Sequence, residues 1–211
     1  MKQEDTKRVI LDKALELFSA YGYDAVSVAE IAEAVGIKAP SLYNHYPSKQ
    51  AIFDAIVEET SLQYKNDTDK LSIHVQNSDL DTGLFSGISA DFLIEKVHQI
   101  FEYSLHNKTI SRFRRLLTIE QFRSPQLARL YTERYIERLT AYHAGIFREL
   151  SAIGDIKCED PETLAMMYVA PIITLIGVCD REPDLEAECL ELIDNHVRLF
   201  YNTYNSKVKD K

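Results

Sequence analysis

The side chains whose types and spacing suggest chemistry gather in one short stretch. Between Glu33 and Asp54 there is no acidic residue, and Lys38, His45 and Lys49 all lie in that gap, with Ser41, Tyr43 and Asn44 among them. Ammonium, imidazole, phenol, hydroxyl and amide groups donate hydrogen bonds to anionic oxygens, and a carboxylate in their midst would repel the same oxygens. A second group, Glu95, His98, Glu102 and His106, recurs at spacings of three and four, as carboxylate–imidazole metal ligands do. Leu93, Ile94, Val97, Ile100, Phe101 and Leu105 take the opposite side of that helical wheel, so the group reads as the wet face of an amphipathic helix. Arg112, Arg114, Arg115 and Arg123 could attract an acidic ligand or DNA, and equally could pair with Glu120 and its neighbours. No HExxH, GxSxG, GxGxxG or GxxxxGK(S/T) run is present, and no enzyme chemistry, cofactor or metal is expected.

The elements that must carry these groups read almost entirely as helix. Ile10, Ala14, Leu17, Phe18 and Tyr21 share one face of a first helix, which Gly22 ends. Ser27 and Glu30 have the spacing of a capping box, and Val28, Ile31, Ala32 and Val35 form the buried stripe of a short second helix closed by Gly36. A third short helix holds Pro40 in its first turn and Leu42, Tyr43 and Tyr46 toward its end. Pro47 stops it, and Ser48 can cap a fourth helix carrying Ile52, Phe53, Ile56 and Val57 inward. Two short helices about a glycine turn have the layout of a helix-turn-helix, whose second helix fits a major groove about 12 Å wide.

Residues 66–88 are rich in Asp, Ser, Asn and Gly and read as a partial helix plus a mobile loop. Helical patterns resume at about 89–107, 110–122, 126–151, 161–179 and 184–204. The segment 161–179 is the most apolar, and Pro171 and Gly177 inside it predict a bend. It and the last helix are apolar enough to pack on each other and still offer a second face to a homodimer partner. Ile172, Leu175, Leu185, Cys189, Leu192, Ile193, Leu199 and Phe200 are the expected contacts. No run of roughly 18 or more apolar residues exists, which argues against a membrane span. The polar start MKQEDTKR does not read as a secretory signal, and three scattered cysteines fit a reduced cytoplasm. The net charge is −9, from 24 basic and 33 acidic residues, so a locally basic spot sits on an acidic body.

The run ALELFSAYGYDAVSVAEIAEAVGIKAPSLYNHYPSKQAIFDAI also resembles the DNA-binding domain of the TetR family of transcriptional regulators. The resemblance is carried by Ala14, Leu17-Phe18, Gly22-Tyr23, Ser27, Ile31-Ala32, Gly36-Ile37, Leu42-Tyr43, His45-Tyr46 and Ser48-Lys49, over about residues 9–57. Tyr46 stands where phenylalanine is more usual. The resemblance implies an all-α chain. Residues 1–47 would form a three-helix DNA-binding domain, with the fourth helix, 48–65, as a bridge. Residues 48–204 would be a larger helical ligand-binding and dimerisation domain, and 205–211 a frayed tail. Ser27, Tyr43, His45 and Lys49 would touch phosphates of double-stranded operator DNA, and Lys38, Ala39, Pro40, Ser41 and Asn44 would meet base edges. A pocket for an unidentified small-molecule effector is implied too, with Phe92, Phe101, Phe113, Phe122, Tyr142, Phe147, Met166, Met167 and Tyr168 as expected lining. The implied function is a dimeric, ligand-responsive, cytoplasmic regulator, a repressor released from its operator by a small molecule. The alternative is an all-helical interaction module that keeps the helix-turn-helix shape without binding an operator.

Overall fold

The computed structural model describes residues 3–70, 73–74 and 77–207, with side chains from Asp5 onward. The described chain is helical, apart from one isolated antiparallel bridge between Ile156 and Asn205. Helix α1 (Gln3–Tyr21) is followed by α2 (Val28–Val35), α3 (Ala39–Tyr43) and α4 (Lys49–Lys70). Then come α5 (Thr82–Phe85), α6 (Ala90–His106), α7 (Lys108–Glu120) and α8 (Pro125–Thr132). A π-helical turn over Glu133–Glu137 runs into α9 (Arg138–Ala152), and α10 (Pro161–Arg181) and α11 (Glu186–Tyr204) complete the chain.

The chain divides into two compact units. One comprises Met1–Tyr64 with Lys108–Tyr131, the other Lys65–Asn107 with Thr132–Lys211. The sequence pattern assigns residues 48–204 to one body, with 48–65 as its bridge to the N-terminal helices. Residues 108–131 instead group with the N-terminal helices, because α7 packs on α1 and buries Ile110, Phe113, Leu116 and Leu117. With Ile10, Ala14 and Phe18 of α1, Ile31 of α2, Leu42 of α3 and Ile52 of α4 they are among the buried side chains of this unit. Three short helices alone bury too little to be stable, and α4 and α7 supply the missing apolar surface.

In the other unit α10 packs on α9, α11 and α6. Its core includes Phe101, Tyr142, Ile146, Phe147, Leu164, Tyr168, Ile193 and Val197. By length and composition α10 could cross a membrane, with a mean hydropathy of 1.7 over its most apolar window, so the lack of an unbroken apolar run does not remove it from that class. Here Leu164, Ala165, Tyr168 and Val169 lie in a protein core, as in the central helix of a folded domain.

Two loop expectations change. Helix α4 continues to Lys70, and the segment behind it is tied down at Asp81, a buried carboxylate that accepts from the His74 amide at 2.6 Å, from Tyr142 Oη, and pairs with His74 Nδ1 at 2.5 Å. The His74 ring is held above its ordinary pKa by that hydrogen bond to Asp81. Residues 71–72 and 75–76 of the expected loop lie outside the described residues. At the C-terminus the Ser206 amide donates to Asp155 O at 2.9 Å and Lys207 Nζ lies 2.7 Å from the Asp155 carboxylate. Residues 205–207 are therefore anchored rather than frayed; 208–211 lie outside the described residues.

Candidate nucleic-acid interface

The geometry of α2 and α3 follows from local chemistry. The Ser27 amide donates to Glu30 Oε2 at 2.7 Å and the Glu30 amide to Ser27 Oγ at 3.2 Å, a closed capping box that starts α2. The backbone hydrogen bond from Ser27 holds the Glu30 carboxyl below the usual range. At the other end Gly36 adopts φ +78, the left-handed conformation that favours glycine, and the Ile37 amide returns to Ala32 O at 2.9 Å. Leu42, fully buried, pins α3 to the core. That leaves Lys38, Pro40, Ser41, Tyr43 and Asn44 exposed, Tyr43 by 52%, with Ala39 half-buried beside them.

The four expected phosphate contacts are not alike. Tyr43 presents a free phenol edge to solvent. His45 is half-buried, and its Nδ1 is enclosed without a hydrogen-bond partner. Ser27 differs, because its hydroxyl donates to Glu30 Oε2 at 2.7 Å. Its single proton is therefore engaged within the capping box, and an anion here would meet first-turn amides of α2 instead. Lys49 is also occupied. Its Nζ donates to Tyr23 O at 2.9 Å and Val26 O at 3.0 Å, and lies 4.3 Å from the centre of the Tyr23 ring. Two of its three ammonium protons are engaged within the protein. Lys49 thus organises the loop between α1 and α2 as well as carrying charge.

The other candidate groups separate in space. His98 pairs with Asp194 at 2.5 Å and His106 with Glu186 at 2.8 Å, so half of the expected wet stripe on α6 is a seam with α11. Among the described residues no three His, Cys, Asp or Glu side chains converge as metal ligands would. Arg112 reaches Asp12 at 3.3 Å and Glu16 at 3.5 Å on α1, and Arg123 lies 3.9 Å from Glu120.

Of the expected effector-site residues, Phe147 and Tyr168 line a cleft together with His143, Leu150, Phe200 and Tyr204. Phe101 and Tyr142 are buried in the same unit's core. The rest are corrected: Phe113 is sealed in the N-terminal unit, Phe122 is 91% exposed, Met166 and Met167 face solvent, and Phe92 is half-buried with Lys96 Nζ over its ring. The cleft has about 60 Å³ of free space, against ~300–1,000 Å³ for a typical small-molecule site. Phe200 stacks on Phe147 with centroids 5.5 Å apart and meets Tyr168 at 4.7 Å. His143 pairs through Nδ1 with Leu139 O at 2.8 Å, and burial pushes its pKa down to about 4.

The expected dimer contacts also divide. Cys189 and Ile193 are buried within the monomer and Phe200 lines the cleft, so these three turn inward. Ile172, Leu175 and Leu185 are partly buried against the core, whereas Leu192 and Leu199 are 54% and 69% exposed.

A pH effect follows from His143. An imidazole whose folded pKa lies below its unfolded value leaves the unfolded chain holding more protons, so stability is complete above pH ~6.5 and falls as pH drops toward 4. The contribution is ~3 kcal/mol at most. Melting curves of wild type and His143→Phe should diverge between pH 6.5 and 4.5, wild type losing more; parallel curves would contradict the assignment.

Comparison with known proteins places these features in a wider set. Residues 10–56 match the family described as bacterial regulatory proteins, tetR family, and residues 93–206 match the C-terminal domain of AefR-like transcriptional repressors. The HTH-type transcriptional repressor ComR of Escherichia coli K12 is 46% identical over 48 residues, a stretch covering 23% of this chain and 23% of ComR. The chain thus spans under a quarter of that relative's length. Among solved structures, a putative TetR-family regulator from Mesorhizobium loti superposes with a TM-score of 0.66 at 24% identity, covering 97% of this chain and 99% of the other. SmeT, the repressor of the Stenotrophomonas maltophilia multidrug efflux pump SmeDEF, gives 0.66 at 17% identity, covering 97% and 96%. Identities this low speak for the fold alone.

Proposed function

The chain belongs to the TetR family of transcriptional regulators, with an N-terminal helix-turn-helix and a helical C-terminal domain, and from that premise we propose that it is a homodimeric cytoplasmic repressor released from operator DNA by a small molecule. The observation that carries this reading is the outer face of α3. Lys38, Ser41, Tyr43 and Asn44 are exposed together, in a stretch without a carboxylate, on a helix fixed by buried Leu42. Lys and Ser donate to base acceptors, Asn pairs with adenine, and Ala39 and Pro40 offer apolar contact to thymine methyls.

One copy of so small a surface binds weakly against a net charge of −9. Two copies on a two-fold axis double the phosphate contacts. Leu192 and Leu199 on α11, with Met166 and Met167 on α10, leave apolar surface exposed for a second chain to cover. The effector would enter the aromatic cleft. Because that cleft is nearly filled, binding must open it, and a ligand that prefers the opened state shifts the equilibrium. SmeT forms a complex with triclosan, and an apolar aromatic effector suits the rings of Phe147, Tyr168 and Phe200 here.

The test is selection of genomic fragments by the full-length chain, followed by mobility-shift titration. One inverted-repeat sequence bound far above random DNA, with steep salt dependence, is expected; no preference over random DNA at physiological salt overturns the reading. On the selected site, Lys38→Ala should cost about 1–3 kcal/mol against the base it reads and relax preference there, leaving other positions unchanged. A uniform loss at every position would remove Lys38 from base reading.

A further inference from the structure

The loop between α1 and α2 is gripped at a single residue, through the peptide groups on either side of its Cα. The Tyr23 amide donates to Glu120 Oε1 at 2.9 Å, across 97 residues of sequence, while the Tyr23 carbonyl accepts from Lys49 Nζ at 2.9 Å. Glu120 is the last residue of α7 and only 1% exposed. A buried carboxylate is retained at a cost unless hydrogen bonds compensate it. A second observation shows that the loop is shaped around this group. A Cβ at Gly22, already disfavoured by φ +88, would lie 2.5 Å from Glu120 Oε1 and push against the carboxylate that holds the Tyr23 amide. Glu120 also ends its own helix, its carbonyl accepting from the amides of Arg123 at 2.9 Å and Ser124 at 3.0 Å.

We propose that Glu120 is a positioning residue for DNA binding: from α7 it fixes the Tyr23 peptide, and through the short run to Ser27 it fixes where α2 begins. The proposal rests on the DNA-binding reading above. Glu120 itself is too buried to touch DNA. Its two possible influences have opposite signs. As a negative charge near the DNA-binding head it repels phosphates, so removing it would tighten binding. As the acceptor that locates the loop it supports binding, so removing it weakens binding. The geometry assigns the second role, because the carboxylate is spent on the amide.

The test measures affinity of the full-length chain for its selected DNA, the salt slope, and amide exchange at Tyr23, in three variants. Glu120→Ala removes the acceptor, Glu120→Asp keeps the charge but is one methylene too short, and Glu120→Gln keeps an acceptor oxygen without the charge. Ala and Asp should lower affinity roughly tenfold or more, the consequence of a half-buried amide left without its partner and a loop no longer held in place. Gln should stay within about threefold, because it can still accept that hydrogen bond. The salt slope should not change, and Tyr23 amide exchange should speed up in Ala and Asp alone. If Ala does not fold, the contrast of Asp with Gln decides. Affinities for Asp at or above wild type overturn the proposal, as does a loss in Gln equal to that in Asp. Failure of wild type to select any DNA overturns the regulator reading instead.

Discussion

Replacing Leu192 and Leu199 together by glutamate should turn a dimer into a monomer that no longer binds its operator. Both side chains stand on the outer side of α11, 54% and 69% exposed, while Cys189, Ile193 and Val197 hold the inner side in the core. Charges at exposed positions leave the monomer core untouched, so the helix should still fold. In a dimer the same carboxylates would be buried opposite their own copies, a like-charge arrangement that costs several kcal/mol. Loss of the second head then removes an avidity of roughly 10²–10⁴ in affinity. Sedimentation equilibrium and mobility shift should move together. A double variant that stays dimeric would mean the chain pairs through another surface.

Lys49→Ala should have the next largest effect, a loss of roughly a hundredfold in affinity for every DNA sequence, with preference between sequences kept. Two charge-assisted hydrogen bonds, to Tyr23 O and Val26 O, disappear, each of a kind that contributes about 1.5–3 kcal/mol. Contact with the Tyr23 ring is lost as well. The loop that seats Ser27 should loosen, so the melting temperature should fall too. If the remaining ammonium proton contacts a phosphate, the salt slope should shrink by about one. Altered sequence preference in Lys49→Ala would contradict this division of labour between Lys49 and the face of α3.

What the sequence disclosed depended on how far apart interacting groups lie along the chain. The capping box of Ser27 and Glu30 and the glycine after α2 involve partners within a turn or so, and spacing alone reveals them. The partners of Lys49 are 26 and 23 residues away and that of Glu120 is 97 away; no periodicity encodes such pairs. Helices with apolar residues on two sides pose a different problem. Periodicity in α11 identifies both rows, but not that Cys189, Ile193 and Phe200 turn inward while Leu192 and Leu199 do not. Helix α7 misled for a third reason. Its apolar stripe shows that Phe113 is buried, whereas the choice of α1 as partner comes from the chain's return to the N-terminal unit. Phe122, in the turn after Glu120, belongs to no stripe and stays in solvent.

The most direct measurement is a hydroxyl-radical footprint of the full-length chain on its selected DNA. Two protected half-sites on one face of the duplex, their centres about 34–36 Å apart or a multiple of that, are expected. Both should vanish together in the Leu192→Glu, Leu199→Glu variant. Protection of a single half-site by wild type, or protection that survives in that variant, would contradict paired presentation of α3 to DNA.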